Sequence, residues 1–305
     1  MWKDTGKKDM HTHLACIPCL RRQAGDAIAL ATADAGLRVE IMLKVVDVIA
    51  GLPMDQPPPS MAGRIHRLIR EQTGALDPYA RIKARATDMA LSLVSSMRSR
   101  VEADPDPFEA ALRLAIAGNI LDFAAFTQID DKQLKQSFDE AFAKPLPESE
   151  IESLKAAVLR ARSILYLGDN AGETVFDRLF IERLPAGVVT YAVKAGPIIN
   201  DATRADALAA GIQEVARIVE TGSDMPGTML EECSPAFLEL FETAEVVIAK
   251  GQANYETLSD ASREVFFLTQ VKCATIAHDL DAPLGQWIVR RKVPAAKSGR
   301  GREEL

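Results

Sequence analysis

No apolar stretch of the 305-residue chain approaches the ~18 residues that a membrane-spanning helix needs. Cysteine is scarce: 4 residues are too few for a disulfide scaffold, which points to thiols, metal ligands or core fillers in a reducing compartment. The segment 1–13 is polar and basic with no apolar run behind it, so no secretory signal is expected and a cytoplasmic location follows. Positive charge is the minority, with 36 Lys and Arg against 43 Asp and Glu and a net charge of −7. That balance argues against nucleic acid or an anionic membrane as the main partner. It leaves room for a small anionic substrate, because a metal ion or a few local cations can reverse the field inside a cleft. Two glycine signatures are also missing. No Gly-x-Gly-x-x-Gly supports a dinucleotide site, and no Gly-x-x-x-x-Gly is followed by Lys-Ser or Lys-Thr, so a P-loop is excluded.

What is present is ordinary globular composition, 48% hydrophobic and 26% charged, in a chain long enough to bury a substantial core. The first half reads as helical. Apolar residues recur at three-to-four spacing over 22–50, 65–69, 79–97 and 108–123, broken by the turn-rich 51–60 with its Pro57-Pro58-Pro59. After Lys144-Pro145-Leu146-Pro147 the period changes. Short apolar runs at 164–167, 188–193, 215–219, 246–249 and 265–268 alternate with amphipathic segments of helix length. The pattern predicts an α/β chain with a helical N-terminal domain over 1–150, followed by a Rossmann-like α/β/α domain over 151–305 with a mostly parallel sheet. The basic tail after Arg290 is expected to fray.

Ligands in such sheets sit outside the carboxyl ends of the strands. Those positions carry Gly168-Asp169-Asn170-Ala171-Gly172-Glu173, Lys194-Ala195-Gly196-Pro197, Thr221-Gly222-Ser223-Asp224 and Lys250-Gly251-Gln252-Ala253-Asn254-Tyr255-Glu256. A structural edge needs the glycines but not the repeated Asp, Asn and Lys. Asp169 and Asn170 are hard oxygen donors suited to Mg²⁺ or Mn²⁺, and the helix start behind them offers N–H groups to a phosphate; a simple helix cap is the competing reading. Asp201 could cap its own helix or complete a metal site with Asp169 and Asn170. Lys250, at a strand end before a glycine, suits a phosphate contact.

These segments resemble the DUF89 family, also called ARMT1-like or damage-control phosphatases. The likeness rests on Gly-Asp-Asn-Ala-Gly-Glu at 168–173, Pro-x-x-Asn-Asp-x-Thr at 197–203, Gly-Ser-Asp-x-Pro-Gly-Thr at 222–228 and Lys-Gly-Gln-Ala-Asn-Tyr-Glu at 250–256. Cys16-Ile17-Pro18-Cys19, Gly118-Asn119-Ile120-Leu121-Asp122 and Lys272-Cys273 match its compact prokaryotic branch, and the likeness runs over roughly 13–288. The resemblance implies a phosphatase of small phosphorylated metabolites, sugar phosphates or damaged by-products, supported by Mn²⁺, Co²⁺, Ni²⁺ or Mg²⁺. It implies Asp169, Asn170 and Asp201 as metal ligands and Lys250 as the phosphate holder, with Asp169, Asp201 and Lys250 carrying the catalysis. Gly172, Glu173, Ser223 and Asn254 join the expected phosphate and substrate contacts, and Asn119 and Asp122 are expected to reach the cleft from a helical lid.

The attacking group is left open between metal-bound water and a carboxylate such as Asp169. A haloacid-dehalogenase route needs Asp-x-Asp, and residue 171 is alanine. A non-catalytic phosphometabolite- or metal-binding protein is the alternative reading. Cys16 and Cys19 fit thiol redox chemistry, half of a zinc site with His11 and His13, or simple packing. Neither the substrate nor the oligomeric state follows from the sequence.

Overall fold

The computed structural model describes residues 10–51, 53–118, 136, 138–140 and 142–294. Helices α1 (Cys16–Ala31), α2 (Ala35–Gly51) and α3 (Pro58–Thr73) come first. Sequence periodicity treats 22–50 as one helical stretch with Gly25 and Gly36 as its only breakers, but the chain turns between them at Thr32–Asp34. There Asp34 Oδ1 accepts from the Leu37 N–H at 2.9 Å and caps the next helix. Pro57 is extended and Pro58 opens α3, where a missing N–H costs nothing. Leu20, Ala24 and Ile28 of α1 pack with Ile41 and Val45 of α2 and Ile65 and Ile69 of α3 in one apolar cluster.

Helix α4 (Ala80–Ala103) is followed by α5 (Pro107–Ala117), whose N-cap Asp106 accepts from the N–H groups of Phe108 and Glu109. Helix α6 (Glu148–Arg160) leads into the sheet. The remaining elements are β1 (Ile164–Leu167), α7 (Thr174–Ile181), β2 (Val189–Val193), α8 (Arg204–Ala209), β3 (Arg217–Glu220), α9 (Pro235–Thr243), β4 (Val246–Lys250), α10 (Gly251–Leu258), β5 (Val265–Gln270), α11 (Ala274–Leu280) and β6 (Trp287–Lys292).

The six strands lie in the order β3-β2-β1-β4-β5-β6, parallel except for β6, which runs antiparallel beside β5. The fold class is the expected one, and β6 is the strand that the sequence reading missed. Its Trp287 and Val289 face one apolar cluster and Ile288 the other, so part of the segment expected to fray is paired strand. Both sheet faces are covered. Ile164 and Tyr166 of β1 join the cluster built with Leu112, Ile116, Phe176 and Phe180. Leu165 and Leu167 join Phe237, Phe241, Tyr255 and Ile276 on the opposite face. Burial on both faces makes β1, β4 and β5 read as continuous apolar runs, whereas the edge strand β3 is half-exposed. Among the described residues no helix is long and apolar enough to cross a membrane.

His66 on α3 is buried, and its Nε2 has no hydrogen-bond partner among the described residues. Burial first, and the Arg70 charge second, hold this imidazole down at about 4. The unfolded chain takes up that proton below pH ~6.5, so the contribution is complete above 6.5 and is lost as pH falls towards 4. The full window corresponds to roughly 3 kcal/mol. Thermal melts from pH 7 to 4 should therefore fall less steeply for His66→Leu than for wild type. Parallel curves would contradict the assignment.

Candidate active site

The strand order reverses direction at β1: the chain goes from β1 to β2 and β3 on one side, then crosses to β4 on the other. A crevice opens at such a switch point, between the loops after β1 and β4. Asp169 and Asn170 follow β1 directly. Gly251, which follows β4, has φ +79, and a Cβ there would lie 1.9 Å from Asp169 Oδ2. Only glycine lets the β4 loop fit under that carboxylate. A short backbone bridge pairs Asn170 with Asp201, with Ala171 N–H donating to Asn200 O at 2.9 Å and Ala202 N–H to Asp169 O at 2.7 Å. Asp201 is presented by a turn in which Ile199 takes φ +46, a conformation that strains a β-branched residue by about 1–3 kcal/mol. Arg70 holds that turn by donating to Pro197 O at 2.8 Å.

The three residues line one cavity of about 540 Å³. Its other walls are the first turns of α1 (Cys16, Cys19), the start of α3 (Pro58, Pro59) and the segment after β5 (Lys272, Cys273). Arg67 and Arg70 of α3 both pair with Asp224, after β3, and so tie the helical wall to the sheet edge. Desolvation, reinforced by the neighbouring Asp201, pushes the Asp169 carboxyl up to about 6. Two carboxylates and one carboxamide crowded in a buried edge are a donor set that a divalent cation fits, and all the donors are hard oxygens. Among the described residues no group of three or more His, Cys, Asp or Glu side chains could hold a metal ion.

Two cavity residues, Glu256 and Lys272, stood in the sequence motifs without a role. Burial pushes the Glu256 carboxyl up to about 7, while Gln252 Nε2 donates to it at 2.9 Å. Lys272 follows β5, and its charge opposes the rise of both Asp169 and Glu256. Applying the strand-end rule to β5 as well as to the preceding strands would have found it.

Lys250 differs from expectation. Its side chain is 0% exposed and is absent from the cavity lining. The ammonium pairs with Glu173, pairs with Asp177 at 2.7 Å, and donates to Ala115 O in the last turn of α5 at 2.8 Å. Asp177 also accepts from Tyr166 (2.7 Å) and Tyr191 (2.8 Å), whose rings stack. Burial pushes Glu173 up, and Lys250 opposes the push.

Gly172, Glu173, Ser223 and Asn254 likewise do not line the cavity. A Cβ on Gly172 would meet Ala86 of α4 at 2.7 Å, so this glycine serves helix packing. Ser223 Oγ accepts from Met225 N–H, and Asn254 donates to Lys250 O at 2.7 Å and accepts from Thr228 Oγ1. Glu173, Ser223 and Asn254 turn inward because the strand-end loops must satisfy their own buried polar groups. Asn119 and Asp122 lie outside the described residues. Gly118, just before them, abuts Glu173: a Cβ there would lie 2.5 Å from its Cγ.

Lys250→Ala strands two buried carboxyls, a loss of about 3–5 kcal/mol. Denaturant unfolding should show that drop, with part of it recovered in Lys250→Ala/Glu173→Gln. An unchanged midpoint for the single variant would show that the cluster holds nothing.

The model of the damage-control phosphatase ARMT1-like domain matches residues 12–288. A damage-control phosphatase of Pyrococcus horikoshii is 32% identical over 287 residues, spanning 92% of this chain and 98% of that one. A damage-control phosphatase of Archaeoglobus fulgidus is 30% identical over 281 residues, spanning 90% of this chain and 97% of its own. The crystal structure of a DUF89 family protein from Pyrococcus horikoshii superposes with a TM-score of 0.85 at 32% identity, covering 93% of this chain and 99% of that chain. With the family model spanning residues 12–288 and the solved fold covering 93% of the chain, the chain belongs to the damage-control phosphatase ARMT1-like family, DUF89.

Proposed function

We propose that the chain is a divalent-metal-dependent phosphatase that hydrolyses small phosphorylated metabolites, sugar phosphates or damaged by-products. The observation that carries the reading is the convergence of Asp169, Asn170 and Asp201 at the switch-point end of the sheet, on a cavity of metabolite size. Those three residues would hold Mn²⁺, Co²⁺, Ni²⁺ or Mg²⁺. Bound there, the ion supplies charge neutralisation and Lewis acidity towards a phosphoryl group.

The rest is the work of the chain's own groups. Lys272, a cation on the cavity wall, takes a phosphoryl oxygen as a point charge. Glu256, raised to about 7, holds a proton near neutrality and delivers it to the leaving oxygen. The prolines of α3 and the first turn of α1 exclude water from one side of the cavity. Lys250 acts as a positioning residue, fixing the β4 end on which Asp169 rests. Catalysis of this kind is mostly orientation and electrostatics, which a rigid sheet edge supplies well.

Chelation with EDTA should abolish turnover of p-nitrophenyl phosphate and sugar phosphates. Asp169→Ala, Asp201→Ala and Lys272→Ala should each lower kcat/KM by about 10²–10³. Asp169→Asn should keep the fold and weaken the metal. Wild-type turnover in either Asp→Ala variant at saturating metal would overturn the ligand assignment.

The pH profile gives a separate test. Activity that needs protonated Glu256 should fall as pH rises through about 7, and Glu256→Gln should lose that limb together with about 10²–10⁴ in kcat. An unaltered alkaline limb in this variant would remove Glu256 from the reaction.

A further inference from the structure

Three of the 4 cysteines, Cys16, Cys19 and Cys273, line the same cavity as Asp169, Asn170 and Asp201, and all are free thiols. The phosphatase reading gives them no task. Cys16 and Cys19 are the first and fourth residues of α1, one turn apart on one helix face. Side chains so placed have Cβ atoms about 5–6 Å apart. A disulfide takes about 3.5–4.5 Å between Cβ atoms and 4.4–6.8 Å between Cα atoms, so a small tightening of the turn closes the gap.

The chain enters α1 through tight turns just ahead of the pair: Cys16 N–H and Ile17 N–H bond three residues back, to His13 O (2.8 Å) and Leu14 O (3.2 Å), rather than four, and Pro18 between the two cysteines has no N–H to lose. The two sulfurs also differ in access. Cys19 is exposed, with Arg22 donating to its Sγ at 3.7 Å; Cys16 is half-buried and lines the cavity together with Thr275. Burial pushes the Cys16 thiol up, which leaves the exposed Cys19 as the attacking sulfur.

We propose that Cys16 and Cys19 form a dithiol–disulfide modification site in the cavity wall, with a low-molecular-weight disulfide as oxidant, and that closing the bond weakens substrate binding. The second half rests on the phosphatase reading; the first does not. The Cys19 thiolate attacks one sulfur of the small disulfide, breaking its S–S bond and releasing one small thiolate. The Cys16 thiolate then attacks Cys19 Sγ in the mixed disulfide and releases the second. Two electrons pass from the protein to the small disulfide, and the two thiol protons end on the released thiols through solvent. Closure takes Cys19 Sγ from Arg22 and draws both sulfurs together in the α1 wall, which reshapes one side of the cavity that Lys272 also lines.

The test equilibrates the full chain in mixtures of reduced and oxidised glutathione, then maps disulfides by mass spectrometry and measures p-nitrophenyl phosphate kinetics at saturating Mn²⁺. A Cys16–Cys19 disulfide should accumulate under oxidising conditions. KM should rise about two- to tenfold, the worth of one neutral hydrogen bond, with kcat much less affected. Cys273→Ser should retain both effects, and the KM of Cys16→Ser/Cys19→Ser should not respond to the buffer. Singly alkylatable Cys16 and Cys19 in the most oxidising mixture, pairing of Cys16 with Cys273, or equal KM in the two states would each overturn the proposal. Absence of metal-dependent turnover in fully reduced protein would instead count against the phosphatase reading. In that event peptide mapping still decides the disulfide, and calorimetric titration of inorganic phosphate replaces the KM comparison.

Discussion

A single buried ammonium organises the end of the sheet. Lys250 reaches from β4 to Glu173 and Asp177 on the α7 side and to a carbonyl in the last turn of α5, the negative end of a helix dipole. Through Asp177 it also locks Tyr166 of β1 and Tyr191 of β2. Three neighbouring strands and two helices are thus referred to one charge, and none of it is open to water. Because β4 is fixed in this way, the Gly251 backbone lies where the Asp169 carboxylate rests on it, and because β1 is fixed, Asp169 and Asn170 meet the Asp201 turn. Such a charge cluster supplies little net stability compared with apolar packing. What it supplies is geometry: it fixes the strand ends that bring Asp169, Asn170 and Asp201 to one cavity.

The helical half completes what the sheet starts. Helices α1 and α3 close one side of the cavity, and α3 is anchored to the sheet edge by two arginines on Asp224. The strain at Ile199 sits in the turn that Arg70 grips, beside the residue that turn presents. Strain held by its surroundings at the edge of a cavity fits a site set for a ligand rather than one relaxed around itself.

Much of this was legible in the sequence. Apolar runs alternating with helix-length segments predicted a parallel sheet, and polar residues at the strand ends marked the site. Asp169, Asn170 and Asp201 do meet on one cavity. The direction of Lys250 was not read, although strand parity contains it. Along β4, Val246 and Ile248 join the α5 and α7 cluster while Val247 and Ala249 join the other, so residue 250 shares the face of 246 and 248. A strand-end lysine counted only by position looks like a cleft residue; counted by parity it goes inward. Lys272 was given no role because the strand-end rule was applied to the loops after the first four strands and not to the one after β5. Strand β6 was overlooked because Arg290, Arg291 and Lys292 look like a solvated tail, although they extend an edge strand, with Arg290 and Lys292 half-buried and Arg291 paired with Glu264.

The central claim is that Asp169, Asn170 and Asp201 form one metal site. Crystals grown with Mn²⁺ and measured at the manganese absorption edge test it most directly. One anomalous peak within coordination distance of all three side chains, lost in Asp201→Ala, is the predicted result. Manganese bound elsewhere in the chain, with these three side chains unengaged, would contradict it.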